Sequence, residues 1–233
     1  MKNILSIIGL SFLASNAYAV PVTFFDKTDE GAATFDEVVA MVDATVNIDT
    51  LTGISRSKNW DRGDYSIASS DGWKRSVYSA GLDASSGQMI SINPNGQREG
   101  GITFDFLSPV NAIGFEVGDW ATCCFASSLF IEFDGGETHT VATANSAADN
   151  PNEEVYKQSV FVGAIDDTDT FTRVSFFGDG VGEFMTAGGR VRYAAVDLDS
   201  VSSPVGVDAP ATLGLFILSI GLMAGCRRYS GSL

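Results

Sequence analysis

Four carboxylates, Asp105, Glu116, Glu132 and Asp134, fall on neighbouring stretches that alternate apolar and polar residues. Paired carboxylates of this kind are the equipment of glycoside hydrolysis, one acting as acid and the other as base or nucleophile. With 29 acidic residues in the chain, such pairs also arise by chance. His139 is the only histidine, so any Ser-His-Asp or Cys-His relay would have to use it. No Gly-x-Ser-x-Gly elbow occurs, and neither does a His-Glu-x-x-His or paired-Cys zinc pattern. The expectation is therefore a non-catalytic protein, with a secreted carbohydrate-active enzyme using paired carboxylates as the alternative.

Two acidic turns offer hard oxygen ligands of the type calcium takes: Asp166, Asp167 and Asp169 in "IDDTDTF", and Asp197 and Asp199 in "VDLDS". Their spacing is not that of an EF-hand loop, and solvated turns have the same composition. Cys123 and Cys124 are adjacent. They either close a vicinal disulfide, strained because neighbouring Cα atoms sit about 3.8 Å apart, or stay as two buried thiols. Trp60, Trp73 and Trp120 carry faces that stack on sugar rings or fill a core. Arg62-Gly63-Asp64 matches an adhesion tripeptide, but a match of that length carries no weight.

The elements that hold these residues read as strands. Ile102, Phe104 and Phe106 alternate with Thr103 and Asp105, and Leu129, Ile131 and Phe133 repeat the pattern before a turn at Asp134-Gly135-Gly136 and a return through Val141. Ala112 to Val117 is continuously apolar, and Pro109 is expected to turn the chain between the two strands of Gly100 to Trp120. "KQSVFVGAI", "FTRVSFFGDG" and "VRYAAVDLDSV" supply further strands. In "EGAATFDEVVAMVDA", Phe35, Val38, Val39 and Val42 follow helical spacing, with a β-branched strand as the competing assignment. The polar, turn-rich stretch from Ser55 to Gln97 is expected to form long loops around short strands. The fold class is all-β, an antiparallel, jelly-roll-like β-sandwich.

Both ends of the chain carry addresses. Lys2, an apolar run from Ile4 to Leu13 and the small-x-small site Ala17-Tyr18-Ala19 form a secretory signal peptide over 1–19, with cleavage before Val20. From Ala209 to Cys226 there are 18 residues without a charge, enough for a helix of roughly 27 Å, a marginal membrane span. Arg227 and Arg228 follow directly and stay on the cytoplasmic side, which leaves the domain of residues 20–206 outside. Setting aside Lys2, Arg227 and Arg228 leaves 11 basic against 29 acidic residues, a charge of −18. Such a surface repels phosphate backbones, so nucleic acid is excluded as a partner.

The segment 207–233 resembles the PEP-CTERM sorting signal: a short proline-containing motif (Asp208, Ala209, Pro210, Ala211), an apolar helix, then a basic end (Arg227, Arg228). The usual motif is Pro-Glu-Pro; here Pro210 keeps the second proline, while Asp208 and Ala209 stand for the first proline and the glutamate. The resemblance implies export from a Gram-negative bacterium by signal peptidase and the Sec machinery, and transient residence in the inner membrane. It further implies cleavage by an exosortase-like enzyme and delivery to the cell surface or an exopolysaccharide matrix. Permanent anchoring by the tail is the alternative. The stretches "ITFDFLSPVNAIGFEVGDW" and "AAVDLDSV" look like the extracellular β-sandwich domains carried by such proteins. The role expected is that of a surface or matrix protein, with polysaccharide, calcium at the acidic turns, or a second copy of the chain as the candidate ligands.

Overall fold

The structure, a computed structural model, describes residues 21–122, 126–152, 158–179 and 184–201. The chain forms β1 (Val22–Lys27), α1 (Thr28–Met41), β2 (Asn47–Thr50), β3 (Asn59–Asp61), β4 (Tyr65–Ser69), β5 (Val77–Tyr78) and β6 (Met89–Ile92). There follow β7 (Ile102–Val110), β8 (Ala112–Gly118), β9 (Ser127–Phe133), β10 (Thr138–Ala144), β11 (Val160–Ile165), β12 (Phe171–Asp179) and β13 (Met185–Ala194). These make two antiparallel sheets. One runs β1-β11-β8-β13-β6-β5, with β2 also on β13, and the other runs β10-β9-β12-β7-β4-β3. The pairs β6·β13, β7·β12 and β8·β11 nest inside one another, so this half of the chain is a single long ribbon folded over both sheets.

Alternation explains the packing. Inward residues of the six-stranded sheet, among them Phe104 and Phe176, meet Phe115 of the other sheet at ring-centroid distances of 5.1 and 4.8 Å. Each fully buried aromatic or aliphatic side chain contributes about 1.5–3 kcal/mol relative to exposure. The continuous apolar runs of β8 and β11 have a different cause, burial on both faces. Their inner residues Ile113, Phe115, Val160 and Val162 join the inter-sheet core, while Ala112, Phe161 and Ile165 pack under α1. The helix assignment holds: Phe35 and Val39 are fully buried against that outer face, and Val38 and Val42 flank them. Asp29 and Glu30 sit in its first turn, where carboxylates favour the helix dipole. The chain leaves the helix through left-handed Asp43, and the Ala44 N–H closes on the Val39 carbonyl. Gly114 is required here, because a Cβ on it would lie 2.3 Å from Cζ of Phe161.

Pro109 is not the turn. It lies near the end of β7, where neither neighbour is in register, since β4 pairs only as far as Phe106 and β12 shifts register between Phe171 and Arg173. The missing N–H therefore costs no ladder bond. The corner is Asn111, where the chain passes from one sheet to the other. It is fully buried, its amide donating to the Val196 carbonyl (2.9 Å) and accepting from the Val196 N–H (2.7 Å). Its own backbone bonds Ala194 and Asp166. Replacing Asn111 by Ala orphans both Val196 groups at about 1–3 kcal/mol each. Urea denaturation of Asn111→Ala should show a midpoint lowered by an amount worth about 2–6 kcal/mol, with the slope unchanged.

Candidate ligand groove

A sheet in a sandwich has an inner and an outer face, and the two outer faces here differ. That of the seven-stranded sheet is covered by α1 and by the segment before β6, whose Ser86 N–H donates to Glu116 (2.7 Å). On the other sheet, residues between the core positions carry polar side chains in cross-strand register. One row runs Ala68, Thr103, Ser175, Glu132, Thr138 across β4, β7, β12, β9 and β10. The adjacent row holds Ser66, Asp105 and Arg173.

These side chains form a connected set. Hydroxyls of Ser70, Thr103 and Ser175 follow one another at 3.1 and 3.3 Å. Arg98, from the short helical turn before β7, donates to Glu132 at 2.6 Å. Arg173 donates to Asp105 at 2.6 Å, and Asp134 accepts the Arg173 and Thr172 N–H groups. Ser70, Arg98, Thr103, Asp105, Asp134, Arg173 and Ser175 line, with Glu99, an open groove of about 370 Å³, while buried Glu132 holds Arg98 without lining the groove itself. The Glu132 bond holds the Arg98 guanidinium above its ordinary value, so it stays charged. The surface thus presents fixed cations, fixed anions and hydroxyls able to donate or accept, side by side. Trp73, three residues past Ser70, is 73% exposed, and its carbonyl accepts from Ser69 Oγ.

Of the four carboxylates singled out from sequence, Asp105 and Asp134 line this groove and buried Glu132 holds its Arg98, each committed to an arginine or to backbone N–H donors. Glu116 lies on the other sheet, fully buried, accepting from Ser86 and Arg190. Thr103, Arg173 and Ser175 are signalled by the outward phase of "ITFDF" and "FTRVSFF", whereas Arg98 and Ser70 lie outside both stretches and have no such signal. His139 is half-buried with its ring 5.9 Å from that of Phe133. Trp60 and Trp120 are core residues, leaving Trp73 as the stacking candidate.

The acidic turns are hydrogen-bonded to neighbouring residues. Asp166 accepts from Thr168, Asp169 from the Thr170 N–H, and buried Asp167 from the Val201 N–H. The Asp199 N–H donates to the Asp167 carbonyl and the Ser200 N–H to that of Asp197, so the two turns are brought together. Arg62 makes two 2.7 Å bonds to Asp49, to which the Tyr65 hydroxyl also donates, and Asp64 accepts from Tyr193; the tripeptide is spent on joining the sheets. The signal peptide site (Ala17, Ala19, Val20), Cys123 and Cys124, the sorting motif (Asp208, Ala209, Pro210, Ala211) and Arg227 and Arg228 lie outside the described residues.

No family model matches the chain, and no curated relative does. Among solved structures, it is similar to family 29 carbohydrate-binding modules. One variant shares 16% identity over 67% of this chain and 96% of its own, with a TM-score of 0.37. Another, complexed with mannohexaose, shares 15% over 69% and 99%, with a TM-score of 0.38. A third shares 16% over 71% and 98%, with a TM-score of 0.36. These are low scores, and the sandwich described above rests on its own strand pairing.

The Asp49 cluster sets two limits on pH. Hydrogen bonds from Arg62 hold the Asp49 carboxyl below its ordinary value, against burial, with Tyr65 and the Arg62 charge adding. That contribution is present above the unfolded value of about 3.9 and is lost as pH falls through the folded one. Burial, then the bond to Asp64, pushes the Tyr193 hydroxyl up to about 12, and burial raises Tyr65 as well. Their contribution is complete below about pH 10 and is lost as pH rises through the folded value. Urea midpoints should fall at both ends, Asp49→Asn flattening the acid limb and Tyr193→Phe the alkaline one.

Proposed function

We propose that this chain is an exported, non-catalytic surface or matrix protein that binds polysaccharide along the outer face of its six-stranded sheet. The observation that carries the reading is the groove of Arg98, Asp105, Asp134 and Arg173 with the Ser70-Thr103-Ser175 hydroxyls. A sugar ring presents neighbouring hydroxyls, each both donor and acceptor. Planar guanidinium and carboxylate groups engage such pairs with two parallel bonds, stronger than neutral ones. Exposed Trp73 offers an apolar face for the C–H side of a ring. The groove is open, which suits a chain passing over it.

Delivery rests on the two ends. In this reading the signal peptide exports the chain through the Sec machinery and signal peptidase cuts before Val20. The helix ahead of Arg227 and Arg228 then arrests it in the inner membrane until an exosortase-like enzyme acts near Asp208-Ala209-Pro210-Ala211. A surface of net charge −18 keeps the released domain soluble. Intact mass of the protein from its producing cells should show the loss of both ends; a mass retaining residues 207–233 would assign the tail to permanent anchoring.

Binding is tested on a glycan array and then by calorimetry with the best polysaccharide. Arg173 and its partner Asp105 are both partly exposed, so truncating Arg173 leaves the core intact, whereas Arg98→Ala also strands buried Glu132 and its melting temperature is read beside its affinity. A hydrogen bond to a charged group is worth about 1.5–3 kcal/mol, so Arg173→Ala should weaken binding about 10-fold or more, and Trp73→Ala should weaken it as well. Affinity unchanged in Arg98→Ala, Arg173→Ala and Trp73→Ala would overturn the assignment. Release of reducing sugar that Asp105→Asn abolishes would replace it with the hydrolase reading.

A further inference from the structure

On the opposite sheet, β8 ends at Gly118, in register with Thr186 of β13. Thr186 is fully buried, and among the described residues its Oγ1 has no hydrogen-bond partner. A buried hydroxyl without a partner costs about 1–3 kcal/mol, so its persistence calls for a ligand. The point where a Cβ on Gly118 would stand lies 2.5 Å from that Oγ1 and 2.7 Å from Oδ2 of Asp83. Only a residue without a side chain lets these two oxygens converge there. Asp119, the next residue, brings a second half-buried carboxylate, and among the described residues neither Asp83 nor Asp119 pairs with an arginine or lysine.

We propose that Asp83, Asp119 and Thr186 form a binding site for a hard divalent cation, calcium in an extracellular setting, beside Gly118. Among the described residues no three His, Cys, Asp or Glu side chains gather around a metal position, so a cation must draw on neutral oxygen. Calcium does this readily, taking six to eight oxygens from carboxylates, neutral protein oxygens and water. Burial holds both carboxyls above the ordinary range, and the Asp119 charge adds to the shift of Asp83; a cation between them relieves both effects. Asp83, Ala84, Asp119 and Ala121 all have positive φ, conformations that persist only where the surroundings hold them. The Asp83 carbonyl also accepts from the Ser159 N–H, so the same loop reaches the start of β11. The cation would pin the segment ahead of β6 to the sheet, away from the groove.

The test uses the full chain freed of metal with chelator. Calcium titration followed by calorimetry should give one saturable site, with a Kd of about 10⁻⁴–10⁻³ M as in extracellular modules. Terbium should report the same site by luminescence sensitised through Trp120, next to Asp119. Asp83→Asn and Asp119→Asn should each weaken binding at least 10-fold, while Asp167→Asn leaves it unchanged. Thr186→Val separates a ligand from a structural hydroxyl: it removes an unpaired polar group, so the metal-free melting temperature should rise while the calcium-induced rise shrinks. Absence of saturable binding overturns the proposal. So does binding lost with Asp167 but not Asp83, or a full calcium response in Thr186→Val.

Discussion

Every sheet must dispose of two faces, and the structure follows from how unequally this chain does so. The inner faces of the two sheets bury one another through Phe104, Phe115 and Phe176. The outer face of the seven-stranded sheet is buried again, beneath α1 and the segment ahead of β6. Among the described residues, the outer face of the six-stranded sheet carries no such cover. It is there that hydroxyls, carboxylates and guanidinium groups stand in register, free to exchange solvent for a ligand.

The covered face shows what burial demands of the same residue types. Arg192, 4% exposed, lies between the Asp36 carboxylate of α1 and the Phe161 ring. Glu116, fully buried, accepts from Ser86 and Arg190. Losing one partner of such a pair strands a charge without water, which is far more costly than losing an exposed pair. On the open face Arg173–Asp105 and Arg98–Glu132 are water-accessible on at least one side, so their bonds can be traded for those of a sugar hydroxyl. Similar chemistry is structural on one sheet and available on the other, and the difference is cover.

Much of this was written in local pattern. The alternation of Ile102, Phe104 and Phe106 announced both a core side and, between them, the outward Thr103 and Asp105. Phe35 and Val39 announced the helix that covers the other sheet. Cross-strand neighbours were not legible, because register is settled by packing over long separations. Ser175 meets Thr103 from 72 positions away, and Arg98 meets Glu132 from 34. The four carboxylates looked equivalent in sequence, yet Glu116 went to the other sheet because the chain changes sheets at Asn111, where no periodicity signals a crossing. Pro109 misled for a related reason, lying in a stretch of β7 without a partner in register. Runs of Asp are visible in sequence, whereas the approach of Asp83 and Thr186 beside Gly118 is set by the pairing of β8 with β13 and has no local signal.

The account stands on the claim that the open face of the six-stranded sheet is where a ligand is held. Amide chemical-shift mapping tests this most directly, with ¹⁵N-labelled protein titrated with the extracellular polysaccharide of the producing cell. Perturbations concentrated at Ser70, Thr103, Glu132, Arg173 and Ser175, with α1 silent, are the predicted result. Perturbations centred on α1 or on the loop carrying Asp83, with those five unmoved, would contradict it.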